Sequence, residues 1–415
     1  MSTAVGPEIV NNRLQYSMDM SNTKKSWKGP PATNLLVQSG DFSTWSSVGS
    51  HEAPTTLVLD PDGNYGAQAW AADSSTGWHE THQSYTVTSG ITYTYSIYVK
   101  AGAAGTFYTQ LHQAAFGGWK SAQFNLVNGT ANISGTNASG SIVNVGNGWF
   151  RCSVTAPATS SVSVPFYIYS QNTTYTGAGS SVTELYVYGA QLETGSVATP
   201  YIPTGAAAAS RTTSQCLLDL ANNATVSGCN LTYASDGTFS FNGSSNYIEL
   251  TSSVNIINKS FTAEAWIQRS VTGAVHGIAS DLQYGWWAVW IGNTNRLESK
   301  HKFGTGTSEV TNYLGGTLNV GTSWTQIAVV YDISTGIKSQ YVNGELDATT
   351  SISLSFNLSG TDRGPRFIGI YRDGVGSGTP NAFNGTIASL KLYDTALSAA
   401  EVKQNFAALR GRYGI

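Results

Sequence analysis

Two histidines and a glutamate open the inventory of residues that could do chemistry. His79-Glu80-Thr81-His82 falls one residue short of the zinc-binding spacing H-E-x-x-H and lies in strand-like sequence. Its histidines would not share one helix face, so zinc is not expected. Glycoside cleavage needs two carboxylates flanking one bond. The nearest strand pattern, Glu345-Leu346-Asp347-Ala348-Thr349-Thr350, lacks the distal Glu and starts beside a turn. No phosphate loop, dinucleotide fingerprint or nucleophile elbow occurs, so a non-enzyme is expected. Asp60-Pro61-Asp62-Gly63-Asn64 offers oxygens from Asp60, Asp62 and Asn64 at i, i+2, i+4, the way a calcium loop begins, although the same residues make an ordinary turn. Arg372-Asp373-Gly374 is a second such candidate. No cofactor is fixed by these residues, and calcium is the one ion they suggest. Aromatic rings are the remaining handle, because sugars present apolar C–H faces that stack on them. Trp70, Trp78 and Trp119 sit among Gly, Ser and His, and Tyr284, Trp286 and Trp287 belong to the densest aromatic group. In a strand, Trp286 and Trp290 would share one face and Trp287 the other. These rings are candidate ligand contacts, with core packing as the competing use.

The elements that position them are strands. Ile91, Tyr93, Tyr95, Ile97 and Val99 alternate with Thr92, Thr94, Ser96, Tyr98 and Lys100. Phe261, Ala263, Ala265 and Ile267 alternate with Thr262, Glu264, Trp266 and Gln268 in the same way. Asn128-Gly129, Asn147-Gly148, Asn242-Gly243 and Asn343-Gly344 supply hairpin turns between such runs. Many short strands separated by turns predict an all-β protein of two β-sandwich (jelly roll) domains. One short C-terminal helix is expected, capped by Ser398 and Glu401, with Val402, Phe406 and Leu409 on one face and Gly411 at its end. It is expected to plug one end of a sandwich.

The 415 residues carry 11% charged side chains and a net charge of -3. That gives no footprint for nucleic acid. No apolar run approaches membrane length, and no signal peptide is read at the N-terminus. Cys152, Cys216 and Cys229 are too few and badly spaced for a zinc site. Reduced thiols are expected, with a Cys216–Cys229 bridge left open. Pro203 to Ser210 and Trp27 to Pro31 mark the boundaries.

Resemblance adds detail. Asn34 to Trp45, Val87 to Lys100, Gly146 to Val154, and Tyr188 to Glu193 with Tyr201 to Thr204 follow one another like the motifs of a carbohydrate-binding-module-like jelly roll common in bacteriophage structural proteins. Phe239 to Ile248, Phe261 to Ile267, Trp324 to Asp332, Phe383 to Ala388 and Leu397 to Val402 resemble a concanavalin A-like, laminin G-type domain. Val10 to Trp27 resembles the first strand and loop of that same family. The expected organisation is therefore 1–30 as the start of the laminin G-type sandwich, 31–205 as an inserted jelly roll, and 206–415 as the remainder. The resemblance implies a phage virion protein, a capsid decoration or a tail fibre or spike. Its implied partners are other virion proteins, its own copies (a trimer among the options) and cell-surface polysaccharide. A structural cement protein that binds no sugar is the alternative.

Overall fold

A computed structural model describes residues 8–20, 26–73, 79–169, 183–221, 223–233, 239–250, 259–280, 287–303, 310–352, 367–371 and 381–415. It is mostly β-structure and divides into two compact units. One unit is residues 31–211. The other holds residues 1–30 and most of the chain after 212.

The 31–211 unit is a sandwich. Its first sheet has the strand order Thr130–Ser134, Lys120–Asn125, Thr106–Leu111, Val162–Ile168, Glu80–Val87, Ser46–Val48. Its second sheet runs Ser139–Gly146, Trp149–Pro157, Thr92–Ala101, Leu185–Thr194, Tyr65–Ala72, Ser50–Leu59. The period-2 pattern explains how they meet. Tyr93, Tyr95, Ile97 and Val99 point into a core shared with Phe107, Leu111, Phe124, Phe166 and Ile168 of the first sheet. Tyr95 and Phe166 bridge the sheets with ring centroids 5.7 Å apart. The unit's ends are themselves paired: Ala32, Thr33 and Asn34 lie antiparallel to Arg211, Ser210 and Ala209. The compact unit therefore extends past residue 205, because the alanine run ends in a strand rather than in a linker.

In the other unit, Leu14–Asp19 pairs antiparallel with Asn384–Tyr393, Met18 standing opposite Leu390. That closing strand also pairs with Phe261–Arg269. The sheet continues through Thr325–Asp332, Ile337–Val342 and Glu345–Ser351. A second sheet, holding His276–Ser280, Trp287–Ile291, Arg296–Phe303 and Val310–Asn319, faces it across a core that includes Tyr16, Met18, Phe261, Ala265, Trp287, Val289 and Leu390. Asn343 and Gly344 have φ of 52° and 77°, the positive pair a tight hairpin requires.

The helix Ala399–Leu409 starts at the expected capping box. It does not plug an end of the sandwich. Phe406 and Leu409 lie against Trp266, with Val402 packed beside Ala328, Val330 and Tyr393, so the helix covers the outer face of the first of these two sheets. Trp266, which alternation alone would turn to solvent, is buried beneath it. The C-terminal glycine is also reassigned: the helix continues into a 3-10 turn through Tyr413, and the left-handed residue is Gly414, with φ 72°, rather than Gly411. All three thiols are free.

Candidate functional site

The outer face of the first sheet of the 31–211 unit is assembled by register. Inward positions are taken by Phe107, Leu111, Ala122, Phe124, Phe166 and Ile168. Alternation therefore leaves Tyr108, Gln110, Ser121, Gln123, Tyr167 and His82 on the other side. Tyr108 stands opposite Gln123, and Gln123 opposite Asn132. On its other flank Tyr108 bridges to Tyr169. The next row places Ser121 opposite Gln110, and Tyr167 opposite His82.

The rings form a continuous group. Tyr108 and Tyr169 stack at 6.2 Å with planes 8° apart. Tyr167 meets Tyr169 edge-on at 6.1 Å, and His82 approaches Tyr167 at 5.8 Å. Such arrangements favour aromatic pairs beyond the area they bury. The Gln123 amide donates to the Tyr108 hydroxyl. Glu80 Oε1 lies 3.3 Å from His82 Nδ1. Burial first, and then the Glu80 charge, pushes the Tyr167 hydroxyl up to about 12, so it stays a neutral donor. Tyr167 and Tyr169 form a nearly closed floor, while Tyr108, His82, Gln110 and Gln123 are half-buried around it.

Trp119 extends this face. A one-turn helix, Gln113–Phe116, links two strands of the sheet. The His112 ring caps it by accepting from the Ala114 amide at 3.2 Å, and Gly117 ends it in the left-handed conformation. The His112 edge then supports the Trp119 ring at 4.6 Å, leaving the indole 38% exposed. An exposed indole held in place by a fixed ring offers a flat apolar surface at little entropy cost on binding.

The other expected site residues separate. Trp70 is fully buried, its Nε1 donating to Thr81 Oγ1 at 2.9 Å inside the sandwich. Trp287 is buried in the core of the other unit, edge-on to Phe261 at 6.1 Å. Neither presents a ring face to a ligand, because each occupies the inward phase of its strand. Trp78, Tyr284, Trp286 and the Arg372-Asp373-Gly374 turn lie outside the described residues. Trp290 takes the outer phase opposed to Trp287, yet Tyr371 stacks on it at 4.6 Å and leaves it 6% exposed.

Asp60 heads a turn. Its Oδ1 accepts from the Asp62 and Asn64 amides at 2.8 and 3.0 Å, and its own amide donates to the Asn64 carbonyl at 2.7 Å. Asp62 and Asn64 are exposed. Among the described residues no three His, Cys, Asp or Glu side chains gather as metal ligands. The two carboxylates near Glu345 are likewise engaged. Glu345 pairs with Lys403 at 2.8 Å, and Asp347 Oδ1 accepts from the Thr317 and Leu318 amides at 2.7 and 2.6 Å. His79 is buried with Nε2 3.3 Å from Asp73 and does not join His82 on the outer face.

Sequence reasoning missed Tyr108, Tyr167 and Tyr169. Each is one member of an alternating run, and only the pairing of strands distant in sequence brings them together.

Residues 242–403 match the laminin G-type family described as the concanavalin A-like lectin/glucanases superfamily. No curated protein matches the chain. Similar solved structures include the CBM40 module of a Ruminococcus gnavus IT-sialidase bound to α2,6-sialyllactose. It is 18% identical, with a TM-score of 0.29, over 36% of this chain and 83% of that one. The binding domain of botulinum neurotoxin DC in complex with SialylT is 18% identical, with a TM-score of 0.34, over 47% of this chain and 49% of that one. The binding domain of Paraclostridial Mosquitocidal Protein 1 is 17% identical, with a TM-score of 0.34, over 46% and 49%.

Proposed function

We propose that this chain is a non-catalytic glycan-binding protein of a bacteriophage particle. The observation that carries the glycan-binding reading is the exposed Trp119 ring and the half-buried Tyr108 ring, the latter backed by the buried Tyr169 and Tyr167 and framed by Gln110, Gln123, Ser121 and Glu80 on the outward phase of the sheet. Flat rings beside amide, hydroxyl and carboxylate groups suit a pyranose, whose apolar face stacks while its rim hydroxyls exchange hydrogen bonds. The lectin/glucanase family match over 242–403 supports the same class. The carboxylates that could be paired for hydrolysis hold amides and a lysine instead, which supports a binder over a glycosidase.

The virion assignment rests on the motif resemblance of residues 34–204 to phage structural modules. In this reading the protein sits on the capsid or on a tail fibre or spike, contacts other virion proteins and its own copies, and takes cell-surface polysaccharide as ligand. A net charge of -3 is in keeping with no role for nucleic acid.

Immunogold labelling of purified particles tests the location, and a glycan array with the whole chain tests the ligand. Trp119→Ala is expected to weaken glycan binding about tenfold, since an anchoring ring contributes ~1–2 kcal/mol. Tyr108→Ala is expected to do at least as much, because it also removes the partner of Tyr169. A chain that binds no glycan, from particles that disintegrate without it, would establish the cement alternative.

A further inference from the structure

The opposite side of the same sandwich carries a second aromatic group. On the second sheet Tyr188 stands opposite Tyr98, and Tyr98 opposite Arg151. Tyr201, beyond the end of the Leu185–Thr194 strand, completes a triangle. The ring centroids are 6.0 Å apart for Tyr98–Tyr188, 5.4 Å for Tyr188–Tyr201 and 6.5 Å for Tyr98–Tyr201. All three rings are half-buried. Gly189, with φ 60°, forms the bulge that lets Tyr201 come this close: a Cβ there would lie 3.1 Å from its ring.

The polar groups divide into used and unused. The Arg151 guanidinium lies 5.3 Å from the Tyr98 ring centroid and donates to Ser96 Oγ and to the Thr199 carbonyl. The Tyr201 hydroxyl shares a 2.8 Å hydrogen bond with Ser39. The Tyr98 and Tyr188 hydroxyls make no hydrogen bond among the described residues. Asp60 sits beside them, 3% exposed. Its Oδ1 is committed to the turn amides. Its Oδ2 accepts nothing among the described residues.

Gly66 shows where that oxygen points. A Cβ at this position would lie 2.9 Å from Asp60 Oδ2 and 3.3 Å from Tyr188 Cε2. The carboxylate oxygen and the ring therefore flank one notch beside the backbone at 66, which a side chain there would enter only by displacing the carboxylate.

We propose that this notch is a second carbohydrate subsite, specific for neutral sugars. A sugar hydroxyl donates to Asp60 Oδ2, the Tyr98 and Tyr188 hydroxyls meet its neighbours, and the rings take its apolar face. The Asp60 and Asp62 carboxylates oppose acidic sugars, and Arg151 is already held by the protein. The proposal rests on reading this unit as a glycan binder. It adds a site on the far side of the sandwich from Tyr108 and Trp119, so each chain should hold two.

Isothermal titration of the whole chain with neutral hexose and N-acetylhexosamine oligosaccharides tests this, comparing the native protein with Gly66→Ala, Asp60→Asn and Tyr108→Ala. Gly66 does not have positive φ, so Ala fills the notch without backbone strain, and Asn at 60 keeps an oxygen for the turn amides. Two sites per chain are expected. Gly66→Ala and Asp60→Asn should each lose one of them, or weaken it at least tenfold, with the other site unchanged. Tyr108→Ala should leave the notch site intact. Native-like binding by both notch variants, with loss in Tyr108→Ala, overturns the second subsite and keeps the first. Binding at the notch that vanishes in EDTA and returns with calcium makes it a cation site and also overturns the proposal. Loss of both sites in Tyr108→Ala, with native melting, would show that the notch does not bind independently and refute it as well. No binding by any form removes both readings.

Discussion

Removing the side chain of Asn405 should destabilise the unit that holds the C-terminal helix far more than a helix-surface change would. Asn405 is fully buried on the C-terminal helix. Its Nδ2 donates to Glu264 Oε2 at 2.7 Å and to the Tyr393 hydroxyl at 3.1 Å. Its Oδ1 accepts from the Val10 amide at 2.7 Å. One side chain thus ties the helix to the sheet beneath it and to the start of the chain. Glu264 is itself buried, with Lys391 Nζ 3.5 Å from its other oxygen, side-chain exposures being 0% and 5%. A hydrogen bond to a charged acceptor contributes roughly 1.5–3 kcal/mol and each neutral one about 1 kcal/mol. Asn405→Ala should therefore cost ~3–5 kcal/mol, a fall of roughly 10 °C for a unit of this size. Asn405→Asp should cost more at neutral pH, because it sets a second carboxylate against Glu264. Calorimetry is the assay, and the inserted unit provides an internal reference, since residue 405 lies outside it. A loss below ~1 kcal/mol in Asn405→Ala, or an Asp variant as stable as the native chain, would refute the reasoning.

Other expectations are simpler to state. Lys338 is buried, its Nζ donating to the Ser299 carbonyl at 3.1 Å, and burial pulls its pKa from 10.5 down to about 7. Between those values the unfolded chain holds more protons than the folded one, so stability should rise with pH from about 7 to about 10. Lys338→Met should flatten that rise in urea titrations at pH 7 and 9.5. Gly344→Ala should cost about 1–2 kcal/mol by urea unfolding, since φ is 77° and the added Cβ would lie 3.1 Å from Phe406 Cβ. Residues 31–211 expressed alone should melt cooperatively, because their core draws on no residue outside that span.

The strands were readable where one face meets a core and the other meets water or a cover. Tyr93, Tyr95, Ile97 and Val99 keep strict period 2, and all four are buried. The same rule cannot say what covers the second face. Trp266 looks outward by alternation and is buried only because Phe406 and Tyr413 arrive from the end of the chain. Trp70 and Trp287 fail as ligand contacts for a related reason: polar neighbours in sequence do not fix which phase of the strand a ring takes. The exposure of the Trp119 ring was legible because Gly117 and Gly118 isolate it at a strand end. The tyrosine face was not, since its rows join strands around residues 82, 108, 123 and 167, and register between them is a tertiary property. Asn405 reads as an ordinary polar residue in an amphipathic helix, and nothing local signals its three buried partners.

The pairing of Met18 with Leu390 has a consequence for the order of folding. All of the inserted unit and most of the host sandwich are synthesised between these two partners. At roughly 5–20 residues per second, tens of seconds to more than a minute separate their emergence from the ribosome. The inserted unit, whose strands are all contributed within 31–211, can close during that interval. The Leu14–Asp19 strand cannot, and its Tyr16 and Met18 must wait for a partner made near the end. The host sandwich is thus the last part to seal, and its first strand is the segment most open to a chaperone or to the wrong neighbour while the chain is being made.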